Sequence, residues 1–218
     1  MDNSTIKNIF WDVDGVLADL NHAYFHFLTN HPNYRNRYAG LKWEQLPEVL
    51  PIAPEYGALE LKTHPEHGVE MDRDFCADQD FFRNRPLYPG VIEVLRDLDD
   101  RGYRQFTMSA TFDVEAKRAY LEDVLSPVTD FLTIECVQHG EFMHDTAKVD
   151  RLKECFQKYE LNPEETILVD DRIYNQHAAI ESGAHPVRLR CEFTTDLPEE
   201  LSWIPEFGNV GAVRDWLV

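Results

Sequence analysis

Ile6-Lys7-Asn8-Ile9-Phe10-Trp11-Asp12-Val13-Asp14-Gly15 is the stretch on which the fold turns. The apolar run Ile6–Trp11 is too short and too continuous for a surface helix, and it reads as a buried parallel strand. Carboxylates two residues apart on an extended chain share one face. At a strand end the turn re-aims them, and Gly15 permits that turn. Acids at the C-terminal edge of a central parallel strand sit where open α/β sheets bind ligands. Taken alone, the pair reads equally well as two helix-capping aspartates in a loop.

Working outward, further short apolar runs appear at Arg104–Met108, Phe131–Val137, Thr166–Val169 and Pro186–Leu189. Between them, apolar residues recur at helical spacing: Val91, Val94, Leu95 and Leu98, then Val114, Leu121, Val124 and Leu125, then Val149, Leu152 and Phe156. Gly102 and Pro163 punctuate the boundaries. Strand–helix alternation of this kind predicts an α/β fold, a Rossmann-like parallel sheet flanked by helices. One stretch breaks the alternation. Asp19 to Arg85 has no clear strand, is rich in aromatics, and is punctuated by Pro32, Pro47, Pro51, Pro54 and Pro65. Short helices are expected at Asn21–Thr29 and Trp43–Leu50, in a helical insertion that returns to the core at Pro86-Leu87-Tyr88-Pro89-Gly90. The chain thus divides into an α/β core domain, 1–18 and 86–218, and a helical cap, 19–85.

Composition narrows the function classes. The 218 residues carry 21 Lys+Arg against 40 Asp+Glu, a formal net charge of −19. That excess argues against a nucleic-acid polymer or an anionic membrane surface, both of which need clustered Lys and Arg. A small anionic substrate stays open, because a bound metal inverts the local potential. Cys76, Cys136, Cys155 and Cys191 are scattered, with no C-x-x-C pair. Met1–Phe10 lacks the features of a signal peptide, and no apolar run approaches the roughly 20 residues of a membrane helix. A cytoplasmic protein is expected.

A second acid pair, Asp170-Asp171, again follows an apolar strand and is followed by Arg172. Acids gathered at two strand ends repel one another unless a cation lies between them. A hard divalent ion with oxygen ligands, Mg²⁺, satisfies both pairs. Ser109 ends the strand Arg104–Met108, and Lys148 precedes the helix that begins at Val149. A hydroxyl donor and a fixed ammonium beside a metal make a phosphate cradle, although each residue alone is unremarkable. Lys148 by itself would not offset the charge of Asp12, Asp14, Asp170 and Asp171.

These four motifs, in this order, resemble those of the haloacid dehalogenase-like hydrolases. The first, D-x-D-G, is matched by Asp12 to Gly15; the second by Ser109; the third by Lys148, with Lys153 nearby; and the fourth by Asp170 and Asp171. The likeness implies strands ordered fifth, fourth, first, second, third, with 19–85 as a cap over the strand ends. It further implies that Asp12 is a nucleophile that becomes an aspartyl-phosphate, and that Asp14 is its general acid and base. Ser109, Ala110 and Lys148 would meet the phosphoryl group. Mg²⁺ would lie among Asp12, the Asp14 carbonyl and Asp171, with Asp170 assisting. In the same family, dehalogenases and phosphonate-cleaving members lack the second acid and transport ATPases carry a Thr there. Asp14 therefore points to phosphoester chemistry.

The resulting expectation is an Mg²⁺-dependent phosphatase acting on a small phosphorylated metabolite, such as a sugar phosphate or nucleotide. A phosphotransferase or mutase would use the same core, and a non-catalytic binding module is the reading from another class. Arg35, Arg37, Arg73, Arg83 and Arg85 could line a substrate pocket, although Arg83 and Arg85 could simply flank the hinge. Ser109-Ala110 followed by Lys117 resembles deoxyribonucleotidase-type members, in which a basic residue beyond the second motif approaches phosphate. His64 and His67 lack the further ligands zinc requires, and His139 and His144 read as loop residues.

Overall fold

The computed structural model describes residues 3–83, 85–111, 113–138 and 147–218; His139 and His144 lie outside them. The chain opens with β1 (Asn8–Trp11), then α1 (Leu20–Asn30), α2 (Leu46–Val49), α3 (Gly68–Ala77) and α4 (Gln79–Phe82). There follow α5 (Val91–Asp100), β2 (Arg104–Thr107), β3 (Ser109–Thr111), α6 (Val114–Val124), β4 (Leu132–Thr133), β5 (Cys136–Gln138) and α7 (Ala147–Lys158). The remainder is β6 (Thr166–Asp170), α8 (Ile173–Ser182), β7 (His185–Leu189), β8 (Glu206–Phe207) and α9 (Val210–Leu217).

The main sheet runs β4-β2-β1-β6-β7-β8 and its pairings are parallel. This is the expected strand order with β8 added at the edge. Strands β3 and β5 form a second parallel pair; the run Phe131–Val137, expected as one strand, is divided between β4 in the main sheet and β5 in this pair. Every residue of β1 is buried, as befits a central strand with both faces covered. Ile9 and Trp11 pack on one face with Leu95, Leu121 and Val213, while Phe10 packs on the other with Phe106 and Phe156. The Phe10 and Phe106 rings stack at 4.7 Å.

The segment 19–85 is helical and carries its own cluster of buried side chains, including Phe27, Leu46, Leu59, Met71 and Phe75. Its two connections to the core lie side by side, with Asp19 N–H donating to the Pro86 carbonyl and Tyr88 N–H to the Leu17 carbonyl. Further ties cross directly. Trp43 donates its indole N–H to Glu192, Asn21 donates to the Glu192 carbonyl, and Arg188 donates to the Gly57 carbonyl. Among the described residues, no helix is long and apolar enough to cross a membrane.

Candidate active site

The register Trp11↔Val169 carries Asp12 off the end of β1 beside Asp170 at the end of β6. Asp12 N–H still donates to the Val169 carbonyl at 2.8 Å, so its backbone is fixed by the sheet. One oxygen each from Asp12, Asp170 and Asp171 lie within 4.8 Å of one another, and all three residues are buried. Lys148 Nζ donates to Asp12 Oδ1 at 2.8 Å and to Asp170 Oδ2 at 2.6 Å. It sits in the first turn of α7 rather than before that helix, and Lys153 is exposed on the same helix. Burial opposes charge on Lys148, but Asp12 and Asp170 outweigh it, and the ammonium keeps its proton. Burial pushes Asp12 up to about 6, helped by Asp170 and Asp14 and opposed by Lys148.

The members of the second acid pair have different surroundings. Asp170 Oδ1 accepts from the Arg172 N–H and from Asn175 Nδ2, both at 3.0 Å, so with Lys148 its carboxylate is well satisfied. Asp171 Oδ1 is buried and accepts no hydrogen bond among the described residues. Burial, together with Asp170 and Asp12, raises the Asp171 carboxyl well above its usual range against the pull of Arg172. A buried carboxylate oxygen with nothing to accept, in a cluster of oxygen donors, fits a divalent cation. Asp12, Asp170 and Asp171 are the residues that could hold one. Gly15 makes this possible. Its φ is +84°, and a β-carbon there would lie 2.4 Å from Asp171 Oδ2.

The Asp14 carboxylate stays out of that cluster. Arg85 Nη1 donates to its Oδ1 at 2.7 Å and Lys117 Nζ to its Oδ2 at 2.5 Å. Burial would raise Asp14, but Arg85 and Lys117 outweigh it and hold the carboxyl well below the usual range. Burial and Arg85 push Lys117 down to about 8, against Asp14. Lys148 does not stand alone among the acids, since Asp14 has two cations of its own.

These groups open on a cavity of about 90 Å³ between the strand ends and the helical segment. Asp12, Asp14, Ala110, Thr111, Lys117 and Lys148 line it from the core. Ser109 is buried beside Ala110, and its Oγ has no partner among the described residues. From the helical segment come Tyr24, Glu60, Lys62, Asp72 and Phe75, and Arg85 from its return to the core. Glu60 accepts from Arg172 Nη1 at 2.5 Å and from the Tyr24 hydroxyl at 2.9 Å, which joins the two parts of the chain at the cavity wall. Burial and the neighbouring Glu60 push Asp72 up to about 6.

Of the five arginines proposed for the pocket, only Arg85 lines it; Arg35, Arg37, Arg73 and Arg83 are exposed, and Arg37 pairs with Glu66 on the surface. A guanidinium stays in water unless a buried acid recruits it, and Asp14 recruits one. His64 is buried as a cap, its Nδ1 accepting from the Glu66 and His67 N–H groups. Sequence reasoning missed Glu60, Lys62 and Asp72, which carry no local motif. It named Arg172 without a role, although its place directly after the acid pair was a signal.

The profile of one protein family, haloacid dehalogenase-like hydrolase, matches residues 6–183. Solved structures share the fold at low identity. A putative haloacid dehalogenase-like hydrolase from Bacteroides fragilis is 15% identical, with 95% of this chain and 99% of that one covered and a TM-score of 0.64. A dehalogenase determined with an intermediate complex is 15% identical, with coverage of 98% and 97% and a TM-score of 0.66. CbbY from Rhodobacter sphaeroides in complex with phosphate is 16% identical, with coverage of 95% and 96% and a TM-score of 0.60. No curated protein matches the chain significantly.

Proposed function

Because the chain belongs to the haloacid dehalogenase-like hydrolases, we propose that it is an Mg²⁺-dependent phosphatase of a small phosphomonoester. The observation that carries this reading is the pair Asp12 and Asp14: two carboxylates on one turn, in opposite electrostatic settings. Asp12 stands beside the orphaned Asp171 oxygen, and Asp14 is held by Arg85 and Lys117 at the wall of the same cavity. Carboxylates whose surroundings push them apart are suited to different tasks. A halide leaving group needs no proton, so a positioned second acid has no task in dehalogenation.

In this reading Asp12 attacks phosphorus; the Asp12 Oδ–P bond forms and the ester P–O bond breaks. The proton that a substrate monoanion brings is relayed by Asp14 to the leaving oxygen. In the second half Asp14, ionised by its two cations, takes a proton from water. The water oxygen attacks phosphorus and the P–Oδ bond to Asp12 breaks. Lys148 stays protonated and screens the phosphoryl oxygens, and Ser109 donates to them. Asp12, the Asp14 carbonyl and Asp171 would hold Mg²⁺, which would neutralise the meeting of two anions. The segment 19–85 acts as the cap that selects the substrate.

The test is hydrolysis of p-nitrophenyl phosphate with Mg²⁺ and with EDTA. Metal-dependent release of phosphate is expected. Undiminished turnover in a metal-stripped sample overturns the metal assignment, and no turnover in either condition overturns the phosphatase reading.

A further inference from the structure

Charge is shared unevenly around the cavity. Beside β1 and β6, Asp12 and Asp170 share Lys148, and Asp171 Oδ1 accepts no hydrogen bond among the described residues. Arg172 stands between the acid cluster and the helical segment, pairing with Glu60 and lying 4.0 Å from Asp171 Oδ1, and Lys62 lies 3.4 Å from Asp72. Asp14 differs from the other described carboxylates lining the cavity, because it has two dedicated cations. Arg85 and Lys117 are only 2% and 1% exposed in their side chains, so the surroundings of Asp14 carry a buried surplus of positive charge. A buried charge without a counterion is costly, and an anion that enters there relieves it.

Arg85 also shows which anion. Its guanidinium is held between the Phe82 and Tyr120 rings, 4.3 and 4.6 Å from their centroids. Only Nη1 is used, on Asp14; Nε and Nη2 are buried without a partner among the described residues. Those two nitrogens form the side edge of the guanidinium, the fork that takes a carboxylate through two parallel bonds. At about 90 Å³ the cavity is far below the roughly 300–1,000 Å³ of pockets that take drug-sized ligands, so the leaving group it admits is short.

We propose that Arg85 and Lys117 form an anion subsite for the leaving group, and that the substrate is a short phosphomonoester whose leaving group bears a carboxylate. The proposal rests on the phosphatase reading, in which Asp14 faces the leaving oxygen and the groups bonded to Asp14 meet what that oxygen carries. The transferred phosphoryl group is held by Lys148.

The experiment compares kcat/KM, with Mg²⁺, for 2-phosphoglycolate and for 2-hydroxyethyl phosphate, which has a neutral end of similar length. The carboxylated ester is expected to be preferred by about tenfold or more. Arg85→Gln and Lys117→Gln should each bring the ratio towards one. Both substitutions also disturb Asp14, so absolute rates fall on either ester and the ratio is the readout. If the variants do not fold, inhibition of p-nitrophenyl phosphate hydrolysis in the unaltered protein decides. Phosphonoacetate should then inhibit about tenfold more tightly than ethylphosphonate. Equal kcat/KM for the two esters, while p-nitrophenyl phosphate is hydrolysed, overturns the subsite and leaves the phosphatase reading standing. A preference that survives both substitutions also overturns it. Failure to hydrolyse any ester overturns both.

Discussion

Gly15 and Asp171 occupy complementary space: a β-carbon on residue 15 would stand 2.4 Å from Asp171 Oδ2 and 2.8 Å from Cγ. The turn that follows the Asp12–Asp14 pair thus forms one wall of the Asp171 carboxylate's site. Gly15→Ala should displace Asp171 and strain a backbone at φ +84°. The expected result is a higher Mg²⁺ concentration for half-maximal activity, with a fold still intact by circular dichroism. Unchanged metal dependence would show that Asp171 is not held there.

Asp12→Asn should lower kcat on p-nitrophenyl phosphate by at least about 10³-fold, the scale seen when a nucleophile acting within a catalytic unit is removed. An amide cannot take the phosphoryl group. Near-normal turnover would show that Asp12 is not the nucleophile.

Asp14→Asn should discriminate between leaving groups. Esters of ordinary alcohols should lose about 10²- to 10⁴-fold, the usual worth of general acid–base catalysis. p-Nitrophenyl phosphate should lose far less at the first step, because its leaving group needs little protonation. Equal losses in the first step on both esters, read in single turnover, would show that Asp14 supports structure rather than proton transfer.

Mg²⁺ should raise the melting temperature as well as support turnover, since the Asp12, Asp170 and Asp171 oxygens come together only in the folded chain. At 100 times its dissociation constant the gain is about 2.7 kcal/mol. The gain should shrink in Asp171→Asn. Ca²⁺ should stabilise while supporting little turnover, because its looser coordination shell misplaces the phosphoryl group.

Glu135 tests the scaffold that places Lys148. It is buried and accepts from Arg151 and Lys158 on α7 and from the Tyr159 hydroxyl just beyond it. Burial would raise it, but these three donors bring it down to about 2 from an ordinary 4.5. A lowered carboxyl stabilises the fold fully above the unfolded value, and that contribution is lost as the pH falls from about 4.5 towards 2. Glu135→Ala should cost roughly 2–4 kcal/mol, below the full cost of breaking a buried pair because Lys158 reaches solvent. Its acid denaturation should be shallower across that window. Parallel curves for both proteins would show that Glu135 contributes no pH-dependent stability.

The sequence by itself determined the sheet and the strand-end acids. Ile6–Trp11 and Thr166–Val169 are apolar runs that only a covered parallel strand accommodates, and Asp12 and Asp170 follow them directly, so their position came with the strands. Lys148 was legible from its place in the motif order, yet only the folded chain separated it from Lys153. In the tertiary structure Lys148 is buried against two carboxylates and Lys153 faces solvent. The partners of Asp14 were beyond linear reading, since Arg85 and Lys117 lie 71 and 103 residues away and arrive from the end of the helical segment and from α6. So were Glu60 and Arg172, an acid and a base 112 residues apart that meet across the cavity. A short apolar run is a local property, visible in any short window. The pairing of buried charges is decided by which distant side chains share one low-dielectric space, and that is settled only when the helical segment folds over the sheet.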